Sequence, residues 1–233
     1  MPTLQSIIFD TLHLFYPHTC SGCGSDLLND KQLLCLQCIN QLPHTNFAQH
    51  ANNPIEKIFW GRIPLVAAHS EFYFAKETLI QRLIHQLKYK CNQDIGYFLG
   101  ELMAKSLLNS NRFKNIDYLV PLPLYPEKER KRGFNQAAVI CNGISASMHI
   151  PVMVGNVIRQ RYTETQTKKH RIERWENVAD SFLVKDPTIL CNKNLLLVDD
   201  VITTGATLEA CGHSIAQTAN VQLSLATLSM ATK

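Results

Sequence analysis

The stretch that decides the fold is Leu195-Leu-Leu-Val-Asp199-Asp200-Val-Ile-Thr203-Thr204-Gly205-Ala-Thr207. Its start, residues 195–198, is a continuous apolar run of the kind found in strands that are buried on both faces. Two carboxylates follow at the strand's end, and we call Asp199 and Asp200 the acidic pair. A small, hydroxyl-rich turn, residues 203–207, then leads into a helical pattern that continues to about residue 218. This order predicts a strand, a polar loop and a helix within an α/β domain.

The same stretch favours a site for a sugar phosphate. Backbone N–H groups of the loop and of the helix N-terminus can surround a phosphate, and the hydroxyls of Thr203, Thr204 and Thr207 add donors. Gly205 permits a tight turn and a close approach of the backbone to a ligand. Because the acidic pair would repel a phosphate, we expect it to accept hydrogen bonds from sugar hydroxyls or to hold a hydrated Mg²⁺. The alternative is an ordinary turn with one helix cap, which needs neither two carboxylates nor three threonines.

The composition of the chain predicts one full-size domain and a small module. The chain has 233 residues, of which 45% are hydrophobic and 18% are charged. We expect an N-terminal helix, a small module with four closely spaced cysteines and a linker over residues 1–62, and the larger domain over residues 63–233. Its apolar runs are too short for a membrane span, and a signal peptide is not expected. Four of the eight cysteines are scattered, which favours buried thiols in a reducing compartment and therefore a cytoplasmic location.

The positive charge of the chain is distributed unevenly. The formal net charge is +4, yet the segment from Arg112 to Arg174 contains 12 Lys or Arg against 5 Asp or Glu. A local excess of this kind suggests an anionic partner, either a polyphosphate or a nucleic acid. A solvated loop that happens to be basic is the alternative.

The other four cysteines form a compact block that we call the cysteine module, residues 20–38. Cys20 and Cys23 form one pair, and Cys35 and Cys38 form a second pair after eleven intervening residues. Two such pairs complete a tetrahedral set of four sulfur ligands, which suits a structural Zn²⁺. Because the module is not itself strongly basic, we expect it to dock or stabilise rather than to read bases directly.

The remaining patterns predict helices that alternate with strands. We expect helices at 4–16, 79–89, 95–108, 135–148 and 206–218, strands at 118–121, 152–157, 195–198 and 221–228, a strand or strand pair at 65–74, and a linker at 40–62. Alternation of this kind indicates a largely parallel sheet covered by helices. Ligands bind such sheets at the carboxyl ends of the strands.

Two basic segments follow predicted strands. Arg130, Lys131 and Arg132 precede a glycine and then a helix that begins near Asn135 and Gln136, which predicts an anion site. The alternative is a charged helix end exposed to water. The second segment, 159–177, contains Arg159, Lys168, Lys169 and Arg174. It is either a cationic lid over a pyrophosphate group or an exposed helix.

The stretch at 195–207 resembles the 5-phosphoribosyl-1-pyrophosphate (PRPP) motif of type I phosphoribosyltransferases. This resemblance implies that Asp199 and Asp200 bind the ribose hydroxyls and are the catalytic residues of any transfer reaction. It further implies that the loop contributes Val201, Thr203, Thr204, Gly205, Ala206 and Thr207 to PRPP binding, with Mg²⁺ bound to PRPP.

The chain as a whole resembles the ComF family of competence-associated proteins, which are related to the GntX proteins. The matching pieces are the four cysteines, Leu87-Lys88-Tyr89, Val120-Pro121-Leu122-Pro123-Leu124, Arg132-Gly133-Phe134-Asn135-Gln136, Arg159, Thr165-Gln166, Arg174 with Asn177, and residues 198–207. The family pairs a small N-terminal zinc ribbon with a type I phosphoribosyltransferase-like domain, a mostly parallel sheet flanked by helices. The resemblance implies a role in DNA uptake and natural transformation, with contacts to pyrophosphate or DNA from Lys88, Tyr89, Arg130, Lys131, Arg132, Asn135, Gln136, Arg159, Lys168, Lys169 and Arg174.

Three hypotheses for the function remain open on the sequence. The first is a DNA-uptake factor that binds PRPP and single-stranded DNA. The second is an active phosphoribosyltransferase of nucleotide metabolism with an unidentified acceptor. The third is a non-catalytic adaptor whose zinc ribbon docks a DNA helicase or a recombination protein.

Overall fold

The computed structural model describes residues 19–26, 28, 32–90, 92–160 and 181–231. The helix predicted at 4–16 lies outside these ranges. Lys168, Lys169 and Arg174 of the expected lid also lie outside them.

A parallel sheet of four strands forms the centre of the described chain, and a two-stranded sheet lies apart from it. The strands are β1 (Ala67–Phe74), β2 (Tyr118–Pro121), β3 (Val157–Arg159), β4 (Phe182–Val184), β5 (Asn194–Ile202) and β6 (Gln222–Ala231). The central sheet has the order β1-β6-β5-β2, and every neighbouring pair is parallel. The predicted strands at 118–121, 195–198 and 221–228 are thereby confirmed, as is a single strand within 65–74.

Helices cover both faces of this sheet. They are α1 (Leu36–Asn40), α2 (Pro54–Phe59), α3 (Leu79–Tyr89), α4 (Gln93–Leu108), α5 (Pro126–Arg132), α6 (Gln136–Met148) and α7 (Ala206–Ala216). Buried residues of α3, α4 and α6 pack in one cluster with Leu196 and Val198 of β5. Residues of α2 and α7 pack in a second cluster with Leu195 and Leu197. Alternate residues of β5 therefore fill two cores, which explains why its apolar run is continuous.

The acidic pair lies within β5 rather than after it. Asp199 pairs with Thr227 of β6, and the ladder continues as far as Ile202, which pairs with Met230. The predicted end of the strand after Val198 is therefore wrong. Backbone pairing with β6 carries the strand past the change from apolar to polar side chains.

The segment predicted as a linker, 40–62, is largely ordered against the core. Asn53 caps α2, and its Oδ1 accepts hydrogen bonds from the backbone N–H groups of Ile55 and Glu56. Ile55 and Phe59 are fully buried, and His44 forms an antiparallel bridge with Phe72 of β1. The buried residues are spaced too irregularly to give a periodic signal, so the sequence does not predict this packing.

The strand predicted at 152–157 is divided between two places. Val152 makes a single parallel bridge to Leu119 at the edge of the central sheet. After a bend, Val157–Arg159 pairs antiparallel with Phe182–Val184 in the small sheet. Among the described residues, no helix combines the length and the apolar character that a membrane crossing requires.

Candidate ligand site and metal centre

The acidic pair lies near the carboxyl end of β5, three and two residues before the last residue of the strand, Ile202. The side chain of Asp200 is nearly buried, with 12% of its surface exposed, and Asp199 is half-buried. The backbone N–H of Asp200 donates to Oδ1 of Asp199 over 2.8 Å. Successive residues of a strand point to opposite faces, so the two carboxylates meet different neighbours.

Lys88 supplies a counter-charge to this pair. Its Nζ lies 2.8 Å from Oδ2 of Asp200, and 20% of its side chain is exposed. Lys88 reaches this position from the last turn of α3, whose apolar residues, including Leu83 and Leu87, are buried in the first core cluster. The amphipathic pattern of α3 therefore fixes the position of the lysine.

The charge of the acidic pair is only partly neutralised. Burial, and secondly the negative charge of Asp200, raise the pKa of Asp199 to about 8, although the N–H of Asp200 and the charges of Lys88 and Arg159 oppose this shift. A carboxyl group that is partly withdrawn from water is stabilised as an anion by a hydrogen-bond donor or by a cation. The site can therefore accept hydrogen bonds from sugar hydroxyls or hold a divalent cation.

The loop after the acidic pair leads directly into α7. Gly205 is the N-cap of this helix and has a φ of 77°, a backbone conformation that residues with a Cβ adopt at a cost. Thr203 and Thr204 are exposed, as is Ala206, while Val201 and Thr207 are half-buried. The N-terminus of an eleven-residue helix thus lies beside two exposed hydroxyl groups, an arrangement that can bind a phosphate.

Helix α2 supports this loop from behind, which the sequence did not predict. A Cβ on Gly205 would lie 2.9 Å from Cζ of Phe59 and 3.0 Å from Cγ2 of Ile58. Arg62 donates from Nη1 to the carbonyl oxygens of Thr204, over 3.3 Å, and of Ile58, over 3.0 Å. Its Nη2 also pairs with the carboxylate of Glu209 in α7. The sequence carries no local signal for the contacts of Arg62 with Thr204 and Glu209, because these two partners lie 142 and 147 residues along the chain.

Arg159 lies on the same side of the molecule as the acidic pair. Its guanidinium carbon is 3.8 Å from the ring centroid of Tyr125 and 5.1 Å from that of Phe182. Its charge is one of the influences that lower the pKa of Asp199. Tyr125 follows β2, whose continuation is fixed by a hydrogen bond from the N–H of Leu122 to the carbonyl oxygen of Val198.

The basic cluster at 130–132 occupies the last turn of α5, which ends at Gly133. As predicted, the three cations precede a glycine and then a helix that begins at Gln136, but they lie in a charged helix end rather than in a loop. Cations stabilise the C-terminus of a helix, so the structure also offers a purely structural explanation for this cluster. Arg130 and Lys131 are exposed, and Nη1 of Arg132 donates to Oε1 of Gln136 over 2.8 Å.

Asn135 and Gln136 organise the start of α6. Oδ1 of Asn135 accepts from the N–H of Ala137, and its Nδ2 donates to the carbonyl oxygen of Leu122 over 3.0 Å. Gln136 is buried, and its Nε2 donates to the carbonyl oxygen of Phe134.

Two of the cations predicted from the sequence act on the acidic pair. Lys88 is in contact with Asp200, and Arg159 acts on Asp199 electrostatically.

The four cysteines of the cysteine module converge on one point. The Sγ atoms of Cys20, Cys23, Cys35 and Cys38 all lie within 4.8 Å of one another, and those of Cys23 and Cys35 are 3.8 Å apart. A tetrahedral zinc site with Zn–S bonds of about 2.3 Å requires S···S distances of roughly 3.8 Å. The cluster can therefore hold a metal ion such as zinc, as the sequence predicts.

The electrostatics of the sulfur atoms also favour a cation. Burial alone would raise the pKa of Cys20, but hydrogen bonds from the backbone of Cys35, Cys23 and Gly22 lower it to about 6. Burial and hydrogen bonds to the neighbouring sulfur atoms raise the pKa of Cys38. Without a cation, the lowered pKa of Cys20 favours a thiolate there, and the raised pKa of Cys38 disfavours a second one. A bound metal would therefore displace the proton of Cys38.

The cysteine module packs directly on α3, the helix that carries Lys88. A Cβ on Gly22 would lie 2.9 Å from Cδ1 of Leu79. Gln86 donates to the carbonyl oxygen of Ser21 over 2.9 Å, and Arg82 donates to that of Gly22 over 3.4 Å. One face of α3 therefore contacts the cysteine module, and its C-terminal turn contacts the acidic pair.

The chain is similar to proteins with roles in DNA use and competence. The DNA utilization protein YhgH of Escherichia coli (strain K12) is 30% identical to it over 196 residues, which cover 81% of this chain and 79% of that protein. Competence protein F of Haemophilus influenzae is 28% identical over 199 residues, covering 84% and 83% of the two chains. A solved structure of glutamine PRPP amidotransferase from B. subtilis aligns with 57% of this chain and 26% of its own, with a TM-score of 0.41 and 16% identity. No protein-family model matches the chain.

Proposed function

Because the chain belongs to the family that includes the DNA utilization protein YhgH, we propose that it handles DNA during natural transformation and binds both PRPP and single-stranded DNA. The observation that carries the PRPP part of the proposal is the ion pair between Lys88 and Asp200 near the carboxyl end of β5, the strand that leads through Gly205 into the N-terminus of α7. This arrangement supports a site in which carboxylates accept hydrogen bonds from hydroxyl groups and a helix N-terminus binds phosphate.

Each part of PRPP has a complementary group at this site. The ribose hydroxyls donate to the acidic pair, and the 5′-phosphate accepts from the N-terminus of α7 and from the hydroxyls of residues 203–207. Lys88 and Arg159 provide positive charge for the pyrophosphate end. Mg²⁺ bound with PRPP would offset the pyrophosphate charge, and its positive charge would stabilise Asp199 as an anion.

The cysteine module has a structural role in this proposal. Four sulfur ligands leave no open position for a substrate on Zn²⁺, and the module is not basic. We assign it to holding α3 against the central sheet, with a reduced cytoplasm as the setting that keeps its thiols available.

Single-stranded DNA is the second ligand. The excess of 12 Lys or Arg over 5 Asp or Glu between Arg112 and Arg174 supports a polyanionic partner. Phosphate contacts release counterions, so the affinity should fall steeply as salt is raised. If a fluorescent single-stranded oligonucleotide does not bind even at low salt, the DNA part of the proposal is wrong.

Calorimetric titration with PRPP and Mg²⁺ tests the PRPP part. We expect binding to the wild type and loss of binding in the variant that combines Asp199→Asn with Asp200→Asn. Asp94→Asn, which changes an exposed carboxylate in the first turn of α4, is the matched control and should bind as the wild type does. Unchanged affinity of the double variant for PRPP would show that the acidic pair is not part of the PRPP site. Release of pyrophosphate that depends on an added base would extend the function to phosphoribosyl transfer, because the base would take the bond that pyrophosphate leaves.

A further inference from the structure

The outward face of α3 carries a row of polar and aromatic side chains. Arg82, His85 and Tyr89 are all exposed, and their spacing of three and four residues places them on one side of the helix. Tyr89 has 66% of its surface exposed. The opposite side, which includes Leu83 and Leu87, is fully buried. Burial of the helix therefore explains the apolar residues of α3 but not the exposed ring of Tyr89.

The charge of this helix has one sign. Residues 79–90 contain Arg82, Lys88 and Lys90 and no Asp or Glu. Lys90 is exposed, and Lys88 is already paired with Asp200. Arg82 lies at one end of the row, where one of its N–H groups donates to Gly22, and Lys90 is the C-cap of the helix directly after Tyr89. These two exposed cations can meet an anionic partner that lies along the row.

Two rings of this row lie in contact in a tilted arrangement. The ring centroids of His85 and Tyr89 are 4.7 Å apart, with an angle of 41° between the planes. An exposed aromatic face between cationic side chains is the combination that binds single-stranded nucleic acid, because every base has a π-face that can stack and every phosphate is negative. In a duplex the bases are already stacked, so this surface favours single strands.

The row also extends from the cysteine module towards the acidic pair. Arg82 contacts the backbone of the cysteine module at Gly22, and Tyr89 directly follows Lys88, which contacts the acidic pair. An eleven-residue helix is about 16 Å long, so the row has room for a few nucleotides. A strand on it would run from the cysteine module towards the mouth of the PRPP-type site.

We propose that the exposed face of α3 is a contact surface for single-stranded DNA, with a base stacked on Tyr89 and phosphates against Arg82 and Lys90. This inference rests on the proposed DNA binding and assigns it to a surface. It also gives the cysteine module a reason to pack on α3, since the module holds the helix in place without contributing positive charge.

Fluorescence anisotropy of a labelled single-stranded oligonucleotide, measured with the full zinc-loaded chain, tests this surface. We expect Tyr89→Ala to weaken binding about ten-fold, the scale of one lost stacking contact, and Tyr89→Trp to retain it. Tyr97→Ala is the matched control, because Tyr97 is an exposed tyrosine of α4. Lys90→Gln should lower the slope of log affinity against log salt by about 0.7, whereas Lys105→Gln, at an exposed lysine of α4, should leave it unchanged.

The result separates this inference from the proposed function. If the wild type binds DNA and the Tyr89 and Lys90 variants bind as their controls do, the surface is wrong while DNA binding stands. If the wild type does not bind at low salt, DNA binding itself is wrong. Thermal melting of each variant should match the wild type, since both side chains are exposed.

Discussion

The ammonium group of Lys88 lies 2.8 Å from a carboxylate oxygen of Asp200, and this contact joins α3 to the carboxyl end of β5. Only one of the two adjacent carboxylates is paired in this way. The charge of Asp199, whose pKa is raised by burial and by Asp200, is offset only in part by Lys88, by Arg159 and by the backbone N–H of Asp200. A ligand that brings hydrogen-bond donors or positive charge would stabilise Asp199 as an anion.

Replacing Lys88 by methionine should destabilise the protein by about 1–3 kcal/mol, because it leaves Asp200 without its charged partner in a mostly buried position. Urea unfolding at neutral pH measures this change. In a double-mutant cycle, Asp200→Asn should cost less in the Lys88→Met background than in the wild type. Equal costs in both backgrounds would show that the ion pair does not contribute to stability.

Asp199→Asn should stabilise the ligand-free protein at alkaline pH. The folded-state pKa of Asp199 is raised to about 8, from about 4 in the unfolded chain. Between these values the folded state binds more protons than the unfolded state, so stability falls as the pH rises through this range. Asparagine removes that dependence.

The melting temperature of Asp199→Asn should therefore equal that of the wild type near pH 4 and exceed it increasingly up to about pH 8. Melting curves across this range provide the measurement. The melting temperature of Asp94→Asn should change with pH in the same way as that of the wild type. A constant difference between Asp199→Asn and the wild type would contradict the assigned titration.

The sequence predicts β2 and the start of β5 well, because residues 118–121 and 195–198 form continuous apolar runs, whereas β1 and β6 also bury polar residues such as Glu71 and Thr227. It predicts the end of β5 poorly, since pairing with β6 extends the strand through polar residues as far as Ile202. The carboxylates, the glycine and the cysteines are visible as local motifs, and the cysteine cluster forms as predicted.

Contacts between distant segments are not visible in the same way. Phe59 and Arg62 support the loop at Gly205, yet both belong to a stretch whose composition is typical of a linker. The partner of Lys88 is equally hidden, because nothing in the local pattern of α3 indicates which strand its last turn meets. Such contacts depend on how the helices pack on the sheet.

Glu71→Gln should lower the free energy of unfolding, and the loss should be largest at neutral pH. Burial would raise the pKa of Glu71, but hydrogen bonds from His44 and His69, together with that from Ser106, lower it to about 2. The distances from its carboxylate to Nδ1 of His44 and Nε2 of His69 are 2.7 and 2.8 Å. A lowered pKa contributes stability above about pH 4, the unfolded value, which is lost as the pH falls towards 2.

Acid unfolding followed by circular dichroism tests the role of Glu71. The glutamine variant should be less stable than the wild type at pH 7, and the difference should shrink as the pH falls from 4 to 2. Glu77→Gln, at an exposed position, serves as the control and should show neither effect. If the difference in stability between the wild type and Glu71→Gln stays constant down to pH 2, the stabilisation does not come from the negative charge of Glu71.

Removing the metal should lower the melting temperature, because Cys20 and Cys38 are buried in the same core cluster as Leu79 and Leu83 of α3. Cys23→Ser deletes an exposed ligand and should reduce the zinc content measured by elemental analysis. A chelator should destabilise the wild type and have little further effect on this variant. Cys191→Ser, outside the cluster, should keep its zinc, and a chelator-resistant melting temperature in the wild type would argue against a structural metal.

Gly205→Ala should destabilise the protein by more than its backbone conformation alone accounts for. A left-handed conformation costs a residue with a Cβ about 1–2 kcal/mol, and here the new Cβ would also lie 2.9 Å from the ring of Phe59. Gly155 provides a matched control, since its φ is 84° and no atom lies within 4 Å of a Cβ built there. Gly155→Ala should therefore show the backbone cost by itself in urea unfolding.

The difference between the two alanine variants measures how tightly α2 packs on the loop. Phe59→Leu should recover part of the extra loss when combined with Gly205→Ala, because the shorter side chain leaves room for the methyl group, and it should recover nothing when combined with Gly155→Ala. PRPP affinity should fall in Gly205→Ala, since a shifted loop no longer presents the N-terminus of α7 to a phosphate. If the two glycine variants lose the same free energy of unfolding, the side chain of Phe59 moves aside at no cost and α2 does not hold the loop in position.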